Sequence, residues 1–332
     1  MIWFAWRQFR TQTWITIGAL AAIAVLLVVS GMSITDAYTA ASMGACQGDC
    51  SAAIANFLTQ VRMGIGGSVY DFTIAMMYVV PALIGVFWGA PLIARELEAG
   101  THRLAWNQSV TRTRWLATKF AVIGVAAAST AGLLSWAVTS WAQRIDDAAG
   151  DRITPLVFGA RGIVPIAYAL FAFALGVSAG MLIRRTVPAM AATLAIYTAA
   201  AVAMPQWIRA HLLPVAHTIT PLDTSSIYGI MITQADQMTV LGEERSPGAW
   251  LLSNQTITPS GDVFTGPAQK CGPEYSHQAC MDWLDTLQLR QDISYQPAHH
   301  FWPLQLIEAG IFVAAAVLLT WFCFWWTRRR LT

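Results

Sequence analysis

Residues 163–205 read IVPIAYALFAFALGVSAGMLIRRTVPAMAATLAIYTAAAVAMP, two long apolar runs broken only by Arg184, Arg185 and Thr186. A helix rises about 1.5 Å per residue and the hydrocarbon core of a bilayer is about 30 Å thick, so about 20 mostly apolar residues cross it. Both runs have that length. So short a polar break leaves room only for a tight antiparallel hairpin, and the chain is read as a polytopic membrane protein.

Working outward, residues 14–34, 72–93, 120–141 and 302–326 meet the same criterion, giving six spans in an all-α membrane architecture. The composition agrees: 56% of the 332 residues are hydrophobic and 11% are charged, against about 25% charged in soluble domains. Mean hydropathy is +0.50. The formal net charge of +2 offers no bulk attraction to nucleic acid. Arg7 and Arg10 precede the first span as they would in a signal peptide, but its apolar run is longer than such peptides carry, so it is read as a retained anchor.

Charge orients the chain. With both termini in the cytoplasm, twelve basic residues fall inside, among them Arg95, Arg112, Lys119, Arg184 and Arg328, with only Glu96 and Glu98 as acids. The outer segments hold eight basic residues and fifteen acids. That is the positive-inside pattern of a multi-pass plasma-membrane protein. The two sides are called below the basic end and the acidic end. Tryptophans fall at span boundaries, Trp14, Trp115 and Trp326 at the basic end and Trp141, Trp207 and Trp302 at the acidic end.

The segments divide as 1–205, with an interfacial helix over 1–13 and five spans; 206–301, a long outer segment; and 302–332, the sixth span and a basic tail. Trp3, Trp6 and Phe9 interleaved with Arg7 and Arg10 suit a helix lying in the membrane interface. The outer segment lacks the alternation expected of a large sheet domain. Residues 207–228 are expected to include short helices dipping into the outer leaflet, and residues 246–276, rich in Gly and Pro, an irregular cap. Cys46, Cys50, Cys271 and Cys280 all fall on the outer side, where disulfides persist. Four cysteines allow three pairings, and the local pairs close the smallest loops. A metal site is the rival reading, but no CxxC or HExxH spacing supports one.

Function is concentrated in residues 94–119, ARELEAGTHRLAWNQSVTRTRWLATK. Helix continues through Glu96 and Glu98, Gly100 permits a sharp break, and Ser109 or Thr111 caps the next helix. Leu104 and Trp106 are costly to leave bare in water, so this compact knob should either sink into the membrane interface or enter a pocket on another protein. The Glu96-x-x-x-Gly100-Thr101 run, followed by Ser109-Val110-Thr111-Arg112 and Lys119, resembles the loop of type-2 ATP-binding-cassette permeases, in which a coupling helix docks on a separate nucleotide-binding subunit. The order of spans and the run YQPAHHFWPLQLIE at 295–308 resemble a bacterial subgroup of exporter permeases. Asn107-Gln108 stand where that family often has a proline.

The resemblance implies a transport subunit for a hydrophobic or amphipathic small molecule or lipid, working by alternating access. It also implies a second permease copy, and a partner that binds ATP and Mg. Glu96, Glu98, Gly100, Thr101, Leu104, Trp106 and Arg112 become the docking candidates, with Glu96 and Glu98 expected to pair with Arg7, Arg10 or Arg112. No GxxxxGK[ST] sequence occurs, so the chain is not itself the ATPase, and no HExxH or GxSxG supports an embedded enzyme. A non-transporting sensor or assembly subunit that recruits an ATPase is the alternative.

Within the spans, Glu308 is the one acid, with Gln305 three residues earlier on the same helical face. Both are weighed as structural anchors against transport groups. Met76, Tyr78, Tyr197 and Met204 are candidates for an apolar pathway, on the resemblance's expectation that the second and fifth spans flank it. Pro81 predicts a kink, and the pairs Gly85/Gly89 and Gly176/Gly180 predict close helix packing.

Overall fold

The computed structural model describes residues 2–100, 111–223, 227–232, 238–242, 248–266, 271 and 275–329, with side chains throughout except at 2–9, 228, 232, 241 and 242. In chain order its helices are α1 (Ile2–Ala40), α2 (Ser51–Met63), α3 (Ile65–Glu98), α4 (Arg112–Ala149), α5 (Pro155–Gly159), α6 (Val164–Ile183), α7 (Thr186–His211), α8 (His277–Thr286) and α9 (Phe301–Arg329). Among the described residues, six of these (α1, α3, α4, α6, α7 and α9) are long and apolar enough to cross a membrane, and they match the six apolar runs. The chain is a multi-pass membrane protein. Two compact units result: a helical bundle of Met1–Ala149, Pro155–Arg209 and Trp302–Thr332, and a second unit of Gly150–Thr154 and Ala210–Phe301.

In the bundle, α6 is apolar around its whole circumference and 78% of its most apolar window is buried, as a helix enclosed by others must be. The corresponding figure for α1 is 11%, so it lies at the periphery. The N-terminal residues are helical, as expected, and run without a break into the first span. A seam of small residues joins α3 to α6. A Cβ built on Gly85 would lie 2.7 Å from the carbonyl oxygen of Ala172, and one on Gly89 would lie 2.6 Å from that of Phe173. Only glycine permits this approach. Beside the seam, Ile84, Ile93, Leu116, Ile123, Phe173 and Val177 pack into one apolar cluster. Pro81 sits inside α3, and the helix widens into a π turn over Ile84–Gly89 directly after it.

The connection between the first two spans, residues 35–71, is largely helix. α1 runs to Ala40 and α2 lays Phe57 and Val61 against Ile34 and Ile145. A Cys46–Cys50 disulfide closes the turn between α1 and α2. Asp49 accepts the Ser51 N–H at 3.0 Å, which holds its carboxyl below the ordinary carboxylate pKa.

The second unit departs most from the sequence expectation. Where dipping helices and an irregular cap were expected, it contains strands β1 (Ala216–Pro221), β2 (Ile227–Ile232), β3 (Met238–Gly242), β4 (Trp250–Ile257) and β5 (Arg290–Gln296). β5 lies between β1 and β4, antiparallel to both, and β2 pairs with β3. Met238, Val240, Phe264, Leu284 and Leu289 form its core, with the Cys271–Cys280 disulfide at the edge of α8. The strands escape an apolar-alternation reading because polar side chains fill inward positions. Thr256, Gln291 and Gln296 are all buried. Thr256 Oγ1 donates to the Val240 carbonyl (2.6 Å), and Gln296 Nε2 donates to the carbonyls of Ala210 and Leu213 (3.1 and 3.0 Å).

Candidate functional site

Two polar centres occupy opposite ends of the bundle. At the acidic end, the last turn of α7 brings Arg209 to Glu308 on α9. Arg209 Nε reaches Oε2 at 2.7 Å and Nη2 reaches Oε1 at 2.9 Å, a two-pronged pair with neither residue exposed. Tyr168 Oη donates to the same Oε1 (2.7 Å), and Arg209 Nη1 donates to the Pro155 carbonyl (2.6 Å). The guanidinium also lies 4.4 Å from the Phe158 ring centre. A charge removed from water needs this degree of satisfaction.

Gln305, one turn from Glu308, uses its amide on the backbone of residues 158–164. Its Oε1 accepts the N–H groups of Ile163 and Val164 (3.0 and 3.2 Å), and its Nε2 donates to the carbonyls of Phe158 and Arg161 (both 3.1 Å). Beside it, Arg161 binds Asp146 through Nε at 2.7 Å, and Tyr70 Oη donates to Asp146 Oδ1 at 2.7 Å. Two ion pairs and a glutamine thus pin residues 155–164, the short helix α5 and the turn into α6, whose free backbone polar groups need partners at membrane depth.

Sequence reading found Glu308 and Gln305 but placed Arg209, Arg161 and Asp146 in the solvated outer segments. Their signal was indirect. A carboxylate buried in a span calls for a buried base, and α7 continues past Pro205 far enough to supply one.

At the basic end, Glu96 forms an ion pair with Lys119, whose Nζ also lies 4.7 Å from the Trp115 ring centre. Glu98 Oε2 accepts both the N–H and the hydroxyl of Thr186 (3.0 and 2.7 Å), capping the first turn of α7. The end of α3 is therefore bonded to the start of α4 and to the start of α7. Of the arginines expected beside these two acids, the Arg7 side chain lies outside the described residues. Gly100 has φ +67°, the left-handed conformation that ends a helix, and Thr111 Oγ1 accepts the Arg114 N–H (3.3 Å) ahead of Arg112 at the start of α4. Thr101, Leu104 and Trp106 fall in residues 101–110, outside the described residues.

The pathway candidates lie in packed surroundings. Met76 joins Leu27, Val69 and Leu134 in a core cluster. Tyr197 Oη donates to the Tyr78 carbonyl (2.9 Å), Tyr78 Oη donates to that of Leu156 (3.1 Å), and Met204 is buried. Tyr78, Tyr168 and Tyr197 form a chain of ring contacts leading to Glu308.

Six membrane-length helices, with the α3–α4 connection at the basic end and an insertion between α7 and α9, define a multi-pass membrane protein. The chain belongs to the ABC-2 membrane transporter related family, whose model matches residues 17–209. Neither a curated protein nor a solved structure matches it.

Proposed function

We propose that this chain is the membrane-spanning half of an ATP-driven exporter in a bacterial plasma membrane. In this reading its basic end faces the cytoplasm, and a separate ATP-binding-cassette subunit, holding ATP and Mg, grips the segment between α3 and α4. The observation that carries the reading is the bonding of that segment's flanks. Glu96 joins α4 and Glu98 joins α7, so a displacement there reaches three spans at once. Family membership supplies the expectation of a motor partner. Two copies would face one another, and a hydrophobic or amphipathic molecule or lipid would move as they alternate. Glu98 and Glu96 act in this scheme as positioning residues for the loop, with Gly100, Thr101, Leu104, Trp106 and Arg112 forming the docking knob.

The test is reconstitution in proteoliposomes with the partner ATPase. ATP-dependent movement of a fluorescent amphiphile, abolished by Leu104→Asp with Trp106→Asp while membrane insertion persists, supports the reading. Assembly and ATPase activity without movement would favour the sensor or assembly role, and movement without any nucleotide-hydrolysing partner would overturn both.

A further inference from the structure

Between α1, α3 and α4, towards the basic end, the bundle contains a groove of about 360 Å³, within the range of small-ligand sites. Ile15, Leu20, Ile23, Leu83 and Phe87 make its walls apolar, and among the described residues no charged side chain lines it. Ile15 and Phe87 keep 66% and 51% of their surface uncovered, so the groove opens sideways from the bundle. It follows α1 from Gln12 to Ile23, about 16 Å at the rise of a helix and about half the hydrocarbon thickness. One chain from one leaflet fits that length.

The polar end of the groove carries a second signal. Gln12 Nε2 donates to the Phe87 carbonyl at 3.4 Å, while Oε1 of the same amide is buried and has no hydrogen-bond partner among the described residues. Buried acceptors are normally satisfied. Here the open acceptor sits at the mouth of an apolar slot, near the level where lipid head groups begin.

We propose that this groove seats one acyl chain of a neutral membrane amphiphile whose head group donates a hydrogen bond, from a hydroxyl or amide N–H, to Gln12 Oε1. The described lining residues offer no cation to a phosphate head group, and the chain length accommodated belongs to the leaflet at the basic end. Binding here requires neither a motor nor movement across the bilayer. Its failure would leave the transport reading standing, and a failure of transport would leave the groove standing.

The experiment uses the full chain in phosphatidylcholine nanodiscs containing a monoacylglycerol with a photoactivatable diazirine in its chain, with cross-links mapped by mass spectrometry. Labelling is expected to concentrate on residues 12–23 and 80–88, at least fivefold above the region of Leu318 and Trp321, which are 65% exposed on α9. The same chain carried as a methyl ester, which has no donor, should label the groove several-fold less, and Gln12→Leu should erase that difference. Ala19→Trp should fill the slot and suppress both probes. Even labelling of the groove and α9, a monoacylglycerol preference that survives Gln12→Leu, or cross-links joining the groove to a second copy of the chain would each overturn the proposal.

Discussion

Glu308 shows what a single residue reveals about this bundle. An acid in a span was visible in the sequence, but its meaning depended on Arg209, which the local composition assigned to the outer segment. Removing one member of a fully buried pair leaves the other charge unpaired, at about 3–5 kcal/mol, whereas replacing both by apolar groups is close to neutral. Arg209→Met is therefore expected to lower the thermal midpoint in detergent sharply, and Arg209→Met with Glu308→Leu to recover most of the loss. Tyr168→Phe removes one of the three hydrogen bonds to the carboxylate and should lower the midpoint less, by the equivalent of about 1.5–3 kcal/mol. A transport role for Glu308 would show instead as lost export at an unchanged midpoint.

Element by element, the six spans were legible because their length and apolarity are set by the bilayer, a constraint each segment meets alone. The glycine pairs were equally legible as contact surfaces, and α3 and α6 meet there. The strands of the second unit were not, since Thr256, Gln291 and Gln296 take buried positions that a hydropathy pattern scores as outward. Nor was the link from Glu98 to Thr186, which joins residues 88 positions apart. Glu98→Ala should leave the ATPase complex intact and reduce the number of molecules moved per ATP several-fold, measured by parallel phosphate-release and flux assays. Thr186→Val tests the same cap from the other side. Equal coupling in both variants and the parent would remove α7 from the proposed lever.

At the scale of the whole molecule, two units with separate cores imply separate responses to stress. Cys271→Ser with Cys280→Ser removes a cross-link whose kind contributes about 2–4 kcal/mol. Limited proteolysis should then cut within residues 210–301 faster, while the bundle keeps its thermal midpoint. If both units loosened together, the division into independent cores would be wrong. The main segment of the second unit, Ala210–Phe301, lies between apolar spans that end abruptly on either side. Its interior was opaque for the reason given by its glutamines.

The Arg209–Glu308 ion pair also ties together the two ends of the long segment of the second unit. That segment departs directly after Arg209 and returns at Phe301, two helical turns before Glu308, so the clasp between these two side chains holds both stems together. The insertion is thus a graft whose two ends are already tied: shortened, lengthened or exchanged for a foreign module, it should leave the helices that hold those ends folded.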